Sequence, residues 1–261
     1  PPLSANGANC TQLIEGLQTL RRDRGWPQIR VHGPLPVGNG VYPGETVVQH
    51  STDLGSDPAQ VQRMFRKNVL RLIRQAQRAE LIVKQGNGWD SVRIFYALHQ
   101  QTRRRLGTPV QPLRFFRLLW KELLSQDLGF VLLGFWDAQP VAGAIFLHWG
   151  KTLTYKYGAS DPEYWKLRPN NLLFWHAIRW GCEHEYRVFD WGKTAPDNEG
   201  LRNFKRGWGS EEKLLHYSVL ADQPPTLGTG IGHHRFVKAF LQRSPAWVGR
   251  LVGELFYGHF A

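Results

Sequence analysis

Residues 130–158 read FVLLGFWDAQPVAGAIFLHWGKTLTYKYG, and this stretch decides the fold class. It contains three runs rich in β-branched and aromatic residues, separated by short polar turns, and the runs cover 130–136, 141–149 and 152–158. Such runs favour β-strands, and connections this short join neighbouring antiparallel strands. The stretch therefore predicts an antiparallel meander of three strands.

Helical and extended patterns lie on both sides of the meander. The elements predicted before it are a strand over 81–84 and helices over 90–105 and 112–126. The elements predicted after it are a helix over 170–185, a strand over 187–191, a helix over 201–208 and a strand over 213–220. The helix over 170–185 is apolar around most of its circumference, so we expect it to be buried against a sheet. This order predicts an α/β fold with a mixed sheet flanked by helices.

The part of the chain before residue 81 is predicted to form two pieces. Residues 1–56 hold a helix over 11–24 and extended segments over 28–32 and 45–50, and they are too short to close a domain alone. Ser56-Asp57-Pro58 is a typical helix start, and the following helix carries basic side chains on one face, at Arg63, Lys67, Arg71, Arg74 and Arg78. No acidic residue lies between Pro58 and Ala79, so this face is either a solvated surface or a wall that binds anions.

The chain is strongly basic. It contains 33 Lys and Arg against 21 Asp and Glu, which gives a formal net charge of +12 at pH 7. Such a charge attracts polyanions such as RNA, nucleotide-sugar pyrophosphates or acidic lipid head groups, although it also serves solubility alone. Its two cysteines, Cys10 and Cys182, provide neither a disulfide framework nor a metal-ligand quartet, which fits a reducing compartment.

The sequence predicts a cytoplasmic protein. No run of about 18 apolar residues marks a membrane span, and residues 1–10 lack the pattern of a signal peptide. The tail over 221–261 is predicted to form a linker and then an amphipathic helix bordered by basic residues. This helix either packs back on the protein or makes a peripheral contact with the inner face of the membrane.

Two polar clusters are candidates for chemistry. The first lies at the predicted start of the helix over 170–185, where backbone N–H groups favour a phosphate or carbonyl oxygen, and it contains Arg168, Asn170 and Asn171. The second begins at the end of an apolar strand and contains Asp190, Lys193, Asn198, Arg202 and Lys205. A lysine close to a carbonyl under attack stabilises the developing oxyanion. The alternatives are a capped core helix and a solvated basic helix face.

Other motifs predict no further site. Residues 228–232 resemble a phosphate loop, but they follow Pro224-Pro225 and precede no βαβ unit, so we interpret them as a linker. Cys182-Glu183-His184 has no matching pair elsewhere, and the sequence lacks G-x-S-x-G. We therefore expect no metal, no serine nucleophile and no tightly bound cofactor.

The sequence resembles the Fem family of peptidyl- and aminoacyltransferases, which are built from two GNAT-like lobes. Three segments over roughly 57–220 carry the resemblance. They are the basic helix over 64–79 with Glu80-Leu81-Ile82-Val83, the segment Thr102-Arg103-Arg104-Arg105-Leu106-Gly107, and Phe189-Asp190-Trp191-Gly192 with Asp197-Asn198-Glu199-Gly200-Leu201-Arg202-Asn203-Phe204-Lys205.

The resemblance implies domains, substrates and residue roles. Residues 1–56 would be the C-terminal part of a first lobe, 57–80 a connecting helix and 81–220 the second lobe. The family transfers an amino acid from aminoacyl-tRNA to an amine of a cell-wall precursor. Phe204-Lys205 matches its pair at the acyl-transfer site, and Asp190 joins them as a catalytic candidate. A basic residue that holds the precursor's pyrophosphate matches the cluster Arg103–Arg105, where Arg105 aligns best and Arg104 is a further candidate for substrate binding.

The resemblance leaves the donor and acceptor open. Related folds also use acyl-CoA, although the segment Arg168-Pro169-Asn170-Asn171 does not match the glycine-rich loop of the acetyl-CoA enzymes. Fem-like proteins of exopolysaccharide systems are similar as well. The alternatives are therefore an acetyl-CoA-dependent N-acetyltransferase, and a non-catalytic binder of RNA or of an anionic glycan precursor. No contact with DNA is expected.

Overall fold

The computed structural model describes residues 9–225, and the predicted helix of the tail lies outside them. The elements in chain order are α1 (Asn9–Asp23), β1 (Gln28–Val31), β2 (Val41–Asp53), α2 (Pro58–Arg63), α3 (Lys67–Arg78), β3 (Ile82–Gly86), α4 (Trp89–Leu106), α5 (Leu113–Glu122), β4 (Gly129–Trp136), β5 (Gln139–Trp149), β6 (Thr152–Ser160), α6 (Pro169–Glu183), β7 (Val188–Thr194), α7 (Glu199–Arg206) and β8 (Glu211–Ala221). Short 3₁₀ turns cover Leu124–Gln126 and Pro162–Leu167.

The chain divides into two compact units. Within the described residues the larger unit comprises 51–192 and 204–211, and the smaller unit comprises 9–50, 193–203 and 212–225. The boundaries predicted at residues 56, 80 and 220 follow from the family resemblance, and they stay predictions.

The larger unit contains five strands in the order β7-β6-β5-β4-β3. The pairs β3–β4, β4–β5 and β5–β6 are antiparallel, whereas β6 and β7 are parallel. The hairpins close at Trp136↔Gln139 and at Trp149↔Thr152, as the short polar turns require. The predicted meander and the mixed sheet are therefore confirmed.

The core of the larger unit lies on both faces of its sheet. Successive side chains of a strand point to opposite faces, so Phe130 and Leu132 of β4 enter one cluster while Val131 and Leu133 enter the other. The first cluster is closed by residues of α2, α3 and α6, and the second by residues of α4 and α5. Helix α6 is buried on most of its surface, as its apolar circumference predicts.

The basic segment predicted as one helix over 58–79 is two helices. Helix α2 ends at Arg63, and α3 begins at Lys67. Between them the Phe65 side chain is buried, and the Arg66 N–H donates to the carbonyl of Gly207 at 2.9 Å. A backbone N–H that bonds to a distant carbonyl leaves the helical ladder, which is why the single helix was the wrong prediction.

Two further elements differ from the sequence prediction. The helix predicted to Gln126 ends at Glu122 and continues as a 3₁₀ turn, while the strand predicted over 45–50 extends over 41–53. Pro43 and Gly44 obscured the start of this strand in the sequence. A Cβ at position 44 would lie about 3.1 Å from Tyr217, so a larger residue there would require Tyr217 to shift by a few tenths of an ångström.

The smaller unit contains three strands in the order β1-β8-β2, and β1 pairs antiparallel with β8. Helix α1 contributes Ile14 to a core shared with Leu35, Val41 and Leu220. Within residues 9–225 no helix is both long and apolar enough to span a bilayer.

Candidate active site

Strands β6 and β7 pair over a short distance and then leave an opening. Their parallel ladder consists of Thr152↔Val188, Leu153↔Phe189 and Thr154↔Asp190, whereas β6 continues to Ser160. The carboxyl ends of parallel strands are common ligand sites in α/β sheets. We call the opening between residues 155–160 of β6 and residues 191–192 of β7 the β6–β7 cleft.

A β-bulge shapes the β6 side of this cleft. Ile145 of β5 pairs with Tyr157 and Phe146 pairs with Tyr155, so Lys156 is the additional residue on β6. Such a bulge bends the strand and increases its twist. The bend falls where β6 stops pairing with β7. The irregular pairing of β6 with β5 therefore contributes to the opening.

The start of α6 closes one end of the cleft. Ser160 Oγ at the end of β6 accepts hydrogen bonds from Trp165 Nε1 at 2.9 Å and from Asn170 Nδ2 at 3.2 Å. Arg168 is exposed and adopts the left-handed conformation (φ 59°), and Pro169 is the first residue of α6. The predicted residue Asn170 is therefore tied to the strand end at the N-terminus of a long, buried helix.

Asn171 presents a buried polar group at this helix start. Its side chain is 7% exposed, and its Nδ2 group has no hydrogen-bond partner within the protein. A buried amide donor without a partner costs free energy, and such groups in native proteins commonly serve a ligand or a water. The role of Asn171 in substrate binding stays a prediction.

The predicted arginines Arg104 and Arg105 lie at the C-terminal end of α4. Both are exposed, and the Arg105 guanidinium lies 4.5 Å from the ring centroid of Trp165. Trp165 also donates to Ser160 Oγ, the atom that accepts from Asn170, so Arg105 reaches through the indole ring the strand end that Asn170 binds directly. The structure thus brings Arg105 of α4 to the segment over 160–170, which lies more than 50 residues later in the sequence.

The other side of the cleft carries Lys205. Its side chain is 4% exposed, and Nζ donates to the carbonyl of Gly192 at 3.1 Å. Burial lowers the pKa of Lys205 to about 8, and the nearby carboxylate of Asp190 acts in the opposite direction. A buried amine with a pKa near neutrality is typical of functional sites.

Asp190 shapes the end of β7. One carboxylate oxygen accepts a hydrogen bond from the Gly192 N–H at 2.8 Å, and Gly192 has a φ of +71°. Aspartate commonly stabilises a turn in this way, and glycine adopts this conformation at little cost. Asp190 therefore presents the Gly192 carbonyl to Lys205, and its predicted catalytic role stays a prediction.

Phe204 belongs to an aromatic wall beside Lys205. It is 38% exposed, and its ring centroid lies 5.9 Å from that of Phe174 and 6.4 Å from those of Trp191 and Trp208. Tyr155 contacts Phe174 at 4.9 Å, and burial raises the pKa of Tyr155 to about 12. This wall was not predicted from the sequence, although the density of aromatic residues in β6, α6 and β7 signals it.

The remaining predicted site residues lie in the smaller unit, where each has a protein partner. Lys193 Nζ donates to the Tyr217 hydroxyl and lies 3.2 Å from His32 Nδ1. Asn198 Oδ1 accepts from the Leu201 N–H at 3.1 Å, as a helix N-cap does. Arg202 binds both carboxylate oxygens of Glu212, at 3.1 and 2.8 Å. Their roles in substrate binding stay predictions.

In the larger unit, Lys205 and Phe204 lie beside the end of β7, and Asn170 is bonded to the end of β6. Charge-assisted donors in a largely dry site stabilise negative charge on a reacting oxygen. Within the described part of the chain no three His, Cys, Asp or Glu side chains group as a metal site requires.

Comparisons with known proteins agree with this geometry. Residues 63–206 match the family described as acetyltransferase (GNAT) domain. The lipid II:glycine glycyltransferase of Staphylococcus haemolyticus is 32% identical over 92 residues, which cover 32% of this chain and 22% of that relative. The chain thus matches about a fifth of the relative's length.

Solved structures share the fold. A crystal structure of FemX matches with a TM-score of 0.65 at 14% identity, covering 81% of this chain and 77% of that one. The structure of L-PGS from Bacillus licheniformis matches with a TM-score of 0.51 at 11% identity, covering 78% and 68%. The GNAT-like fold and the resemblance to Fem transferases are therefore confirmed. The family model covers more than half of the 261 residues, and the chain belongs to the acetyltransferase (GNAT) domain family.

Proposed function

We propose that this protein transfers an aminoacyl group from aminoacyl-tRNA to an amine of an anionic cell-wall precursor, forming an amide bond. The buried Lys205 amine beside the Phe204 wall at the β6–β7 cleft carries this proposal. The partial match to lipid II:glycine glycyltransferases supports this precursor class. A lipid-linked acceptor would place the reaction at the inner face of the membrane.

The reaction needs one positively charged hydrogen-bond donor at the carbonyl oxygen. It needs no covalent enzyme intermediate. The neutral acceptor amine attacks the carbonyl carbon of the ester, a C–N bond forms, and the carbonyl oxygen becomes negative. The Lys205 ammonium stabilises this oxyanion. The C–O bond of the ester then breaks, and the leaving ribose oxygen receives the proton that the amine nitrogen loses. Asp190 favours the charged form of Lys205, although burial opposes it.

The exposed arginine beside Trp165 supports an anionic acceptor. Arg105 is oriented by its contact with the indole face, while its neighbour Arg104 is also exposed. Guanidinium groups bind pyrophosphate oxygens with good geometry, and stacking on an aromatic ring reduces the entropy lost on binding. This pair lies near Asn170 and the start of α6, where the positive end of the helix dipole also favours negative charge. The pyrophosphate of a nucleotide-linked or lipid-linked sugar has the required chemistry.

A donor competition assay tests the proposal. The purified protein is incubated with lipid II and with either radiolabelled glycyl-tRNA or radiolabelled acetyl-CoA. We expect label in lipid II from the tRNA ester, and far less from the thioester. Because the family model describes acetyltransferases, the second candidate is an acetyl-CoA-dependent N-acetyltransferase, and label from acetyl-CoA alone would favour it. Absence of transfer from either donor, and from a mixture of other aminoacyl-tRNAs, would contradict both.

The pH dependence of transfer provides a test of Lys205. Its pKa is lowered to about 8, and the proposed role needs the protonated form, so we expect kcat to fall as the pH rises through 8. Deprotonation of the acceptor amine supplies the rising limb at lower pH. Lys205→Arg keeps a permanent positive charge, so its residual activity is expected to lack the falling limb. Hydrolysis of the donor ester is measured in parallel at each pH. A falling limb near 8 that persists in Lys205→Arg would assign the titration to another group.

A further inference from the structure

One surface of the larger unit takes no part in the proposed transfer reaction. Helices α2 and α3 present five cationic side chains on their exposed side, and we call this set the basic face: Arg63, Lys67, Arg71, Arg74 and Arg78. The opposite side of the two helices is buried in the core through Val61, Val69, Ile73 and Ala76. The core therefore holds the basic face as a fixed array.

The basic face has no acidic neighbours along the chain, since residues 58–79 contain no Asp or Glu. Among the ion pairs of residues 9–225, none includes a member of this face. Some exposed cations elsewhere in the larger unit do have acidic partners, as in Arg93–Asp90 and Arg179–Glu183. Positive charge concentrated without counter-charge attracts an anionic partner.

The other side chains exposed on this segment favour RNA over a lipid surface. They include the amides of Gln77 and of Asn68, whose Oδ1 accepts from Arg71 at 2.8 Å, and amide N–H groups are suited to phosphate and ribose oxygens. Between residues 58 and 79 the large apolar residue that is exposed is Met64, at 45%. Amphipathic helices that bind membranes insert an apolar face, and here the apolar face is buried in the core. Lys67 to Arg78 spans about 16 Å at the α-helical rise, enough to meet several successive phosphates.

The basic face also adjoins the β6–β7 cleft. Gln75 Nε2 of α3 donates to the carbonyl of Lys166 at 2.8 Å. Lys166 and Arg168 are exposed, and they lie in the turn that leads directly into the start of α6. Cationic side chains therefore continue from α3 to the mouth of the cleft within one unit. A polyanion bound along α3 would have one end near Asn170 and Asn171.

We propose that the basic face binds the phosphate backbone of the RNA donor, away from the ester that reacts. This inference rests on the proposed function, because aminoacyl-tRNA is the donor named there. The contacts are to phosphate and sugar, so they carry affinity without reading the nucleotide sequence. The identity of the amino acid would be selected elsewhere, at the cleft.

Binding of uncharged tRNA at several salt concentrations tests the proposal. The variant Arg71→Gln/Arg74→Gln/Arg78→Gln removes three charges from the basic face. The control Arg93→Gln/Arg114→Gln/Lys121→Gln removes three exposed charges from α4 and α5, on the other face of the sheet. Losing three phosphate contacts at about −0.7 to −0.9 each lowers the salt slope by about 2–3, and weakens binding on the order of 10²-fold near 0.1 M salt. We expect the control to stay within about threefold of the wild type, and circular dichroism checks that both variants fold.

A second arm separates this inference from the transfer reaction. We call Arg71→Gln/Arg74→Gln/Arg78→Gln the α3 variant. With a short donor, an aminoacylated CCA trinucleotide, we expect this variant to transfer at the wild-type rate. With full-length aminoacyl-tRNA we expect its KM to rise on the order of 10²-fold. If the wild type transfers nothing, while the α3 variant loses tRNA binding and the control keeps it, the RNA surface is supported and the proposed transfer reaction is wrong. Equal losses in the α3 variant and the control would overturn the RNA surface. Binding of wild type to phosphatidylglycerol vesicles but not to tRNA would overturn it in favour of a membrane contact.

Discussion

Replacing Lys205 by methionine is expected to lower kcat for aminoacyl transfer by about 10²–10³-fold, with little change in KM for either substrate. Removing one preformed donor to an oxyanion has this effect in other acyl-transfer sites. Because the ammonium acts on charge that develops in the transition state, the loss falls on kcat. Steady-state kinetics at pH 7, below the pKa of about 8, measures it while the wild-type lysine is mostly charged.

Stability separates a catalytic Lys205 from a structural one. The lowered pKa means that folding disfavours the charged form, so the ammonium costs stability below pH 8 and this cost disappears as the pH rises towards the usual value of 10.5. Methionine keeps the aliphatic stem and removes this cost, while the Gly192 carbonyl loses its donor. We therefore expect Lys205→Met to unfold in urea within about 1 kcal/mol of the wild type. Full activity in this variant would rule out the oxyanion role, and a large loss of stability would assign Lys205 to folding.

Replacing Trp208 by alanine is expected to lower the free energy of unfolding by about 3–5 kcal/mol, the range for truncating a buried aromatic residue. Trp208 is fully buried, and its ring centroid lies 5.1 Å from that of Phe65, 5.4 Å from that of Trp191 and 5.8 Å from that of Phe174. The cavity would open between α6, β7 and the residues that join α2 to α3. Urea denaturation followed by circular dichroism measures the loss.

Trp208→Phe is the matched control. The indole Nε1 of Trp208 is buried without a hydrogen-bond partner, so phenylalanine removes an unsatisfied donor together with some volume. We expect this variant to lose no more than about 2 kcal/mol, because the aromatic contacts are largely kept. Equal losses in the alanine and phenylalanine variants would show that packing around the ring is not what Trp208 contributes. Since Trp208 follows α7 closely, the alanine variant is also expected to lose transfer activity through misplacement of Lys205.

Several predicted site residues turn out to have structural partners. Asn198 caps α7, and Arg202 joins α7 to Glu212 of β8 by two hydrogen bonds. The positive character of the segment from Lys193 to Arg206 was evident from the sequence, and Arg202 pairs with Glu199 one turn earlier on α7 as well as with Glu212 on β8, ten residues later. Tertiary contacts decide which basic residues face an acidic side chain and which face an open cleft.

Local sequence patterns determined most of the elements of the larger unit. Alternating runs separated by short turns predicted β4, β5 and β6, and the apolar circumference of α6 predicted its burial. These features depend on residues that are close in the chain, so they are readable from periodicity and composition. The break between α2 and α3 was missed because it depends on a hydrogen bond from Arg66 to Gly207.

Only the tertiary structure decided what the candidate site is. The β6–β7 cleft exists because two parallel strands stop pairing after Thr154 and Asp190, and no local pattern marks where a ladder ends. The lowered pKa of Lys205 arises from burial among groups far apart in sequence, and the partnerless amide of Asn171 arises in the same way. Burial, the end of a strand ladder and the pairing of charges are properties of long-range packing. The sequence therefore indicated which types of residue form the site, and the fold determined their burial and their partners.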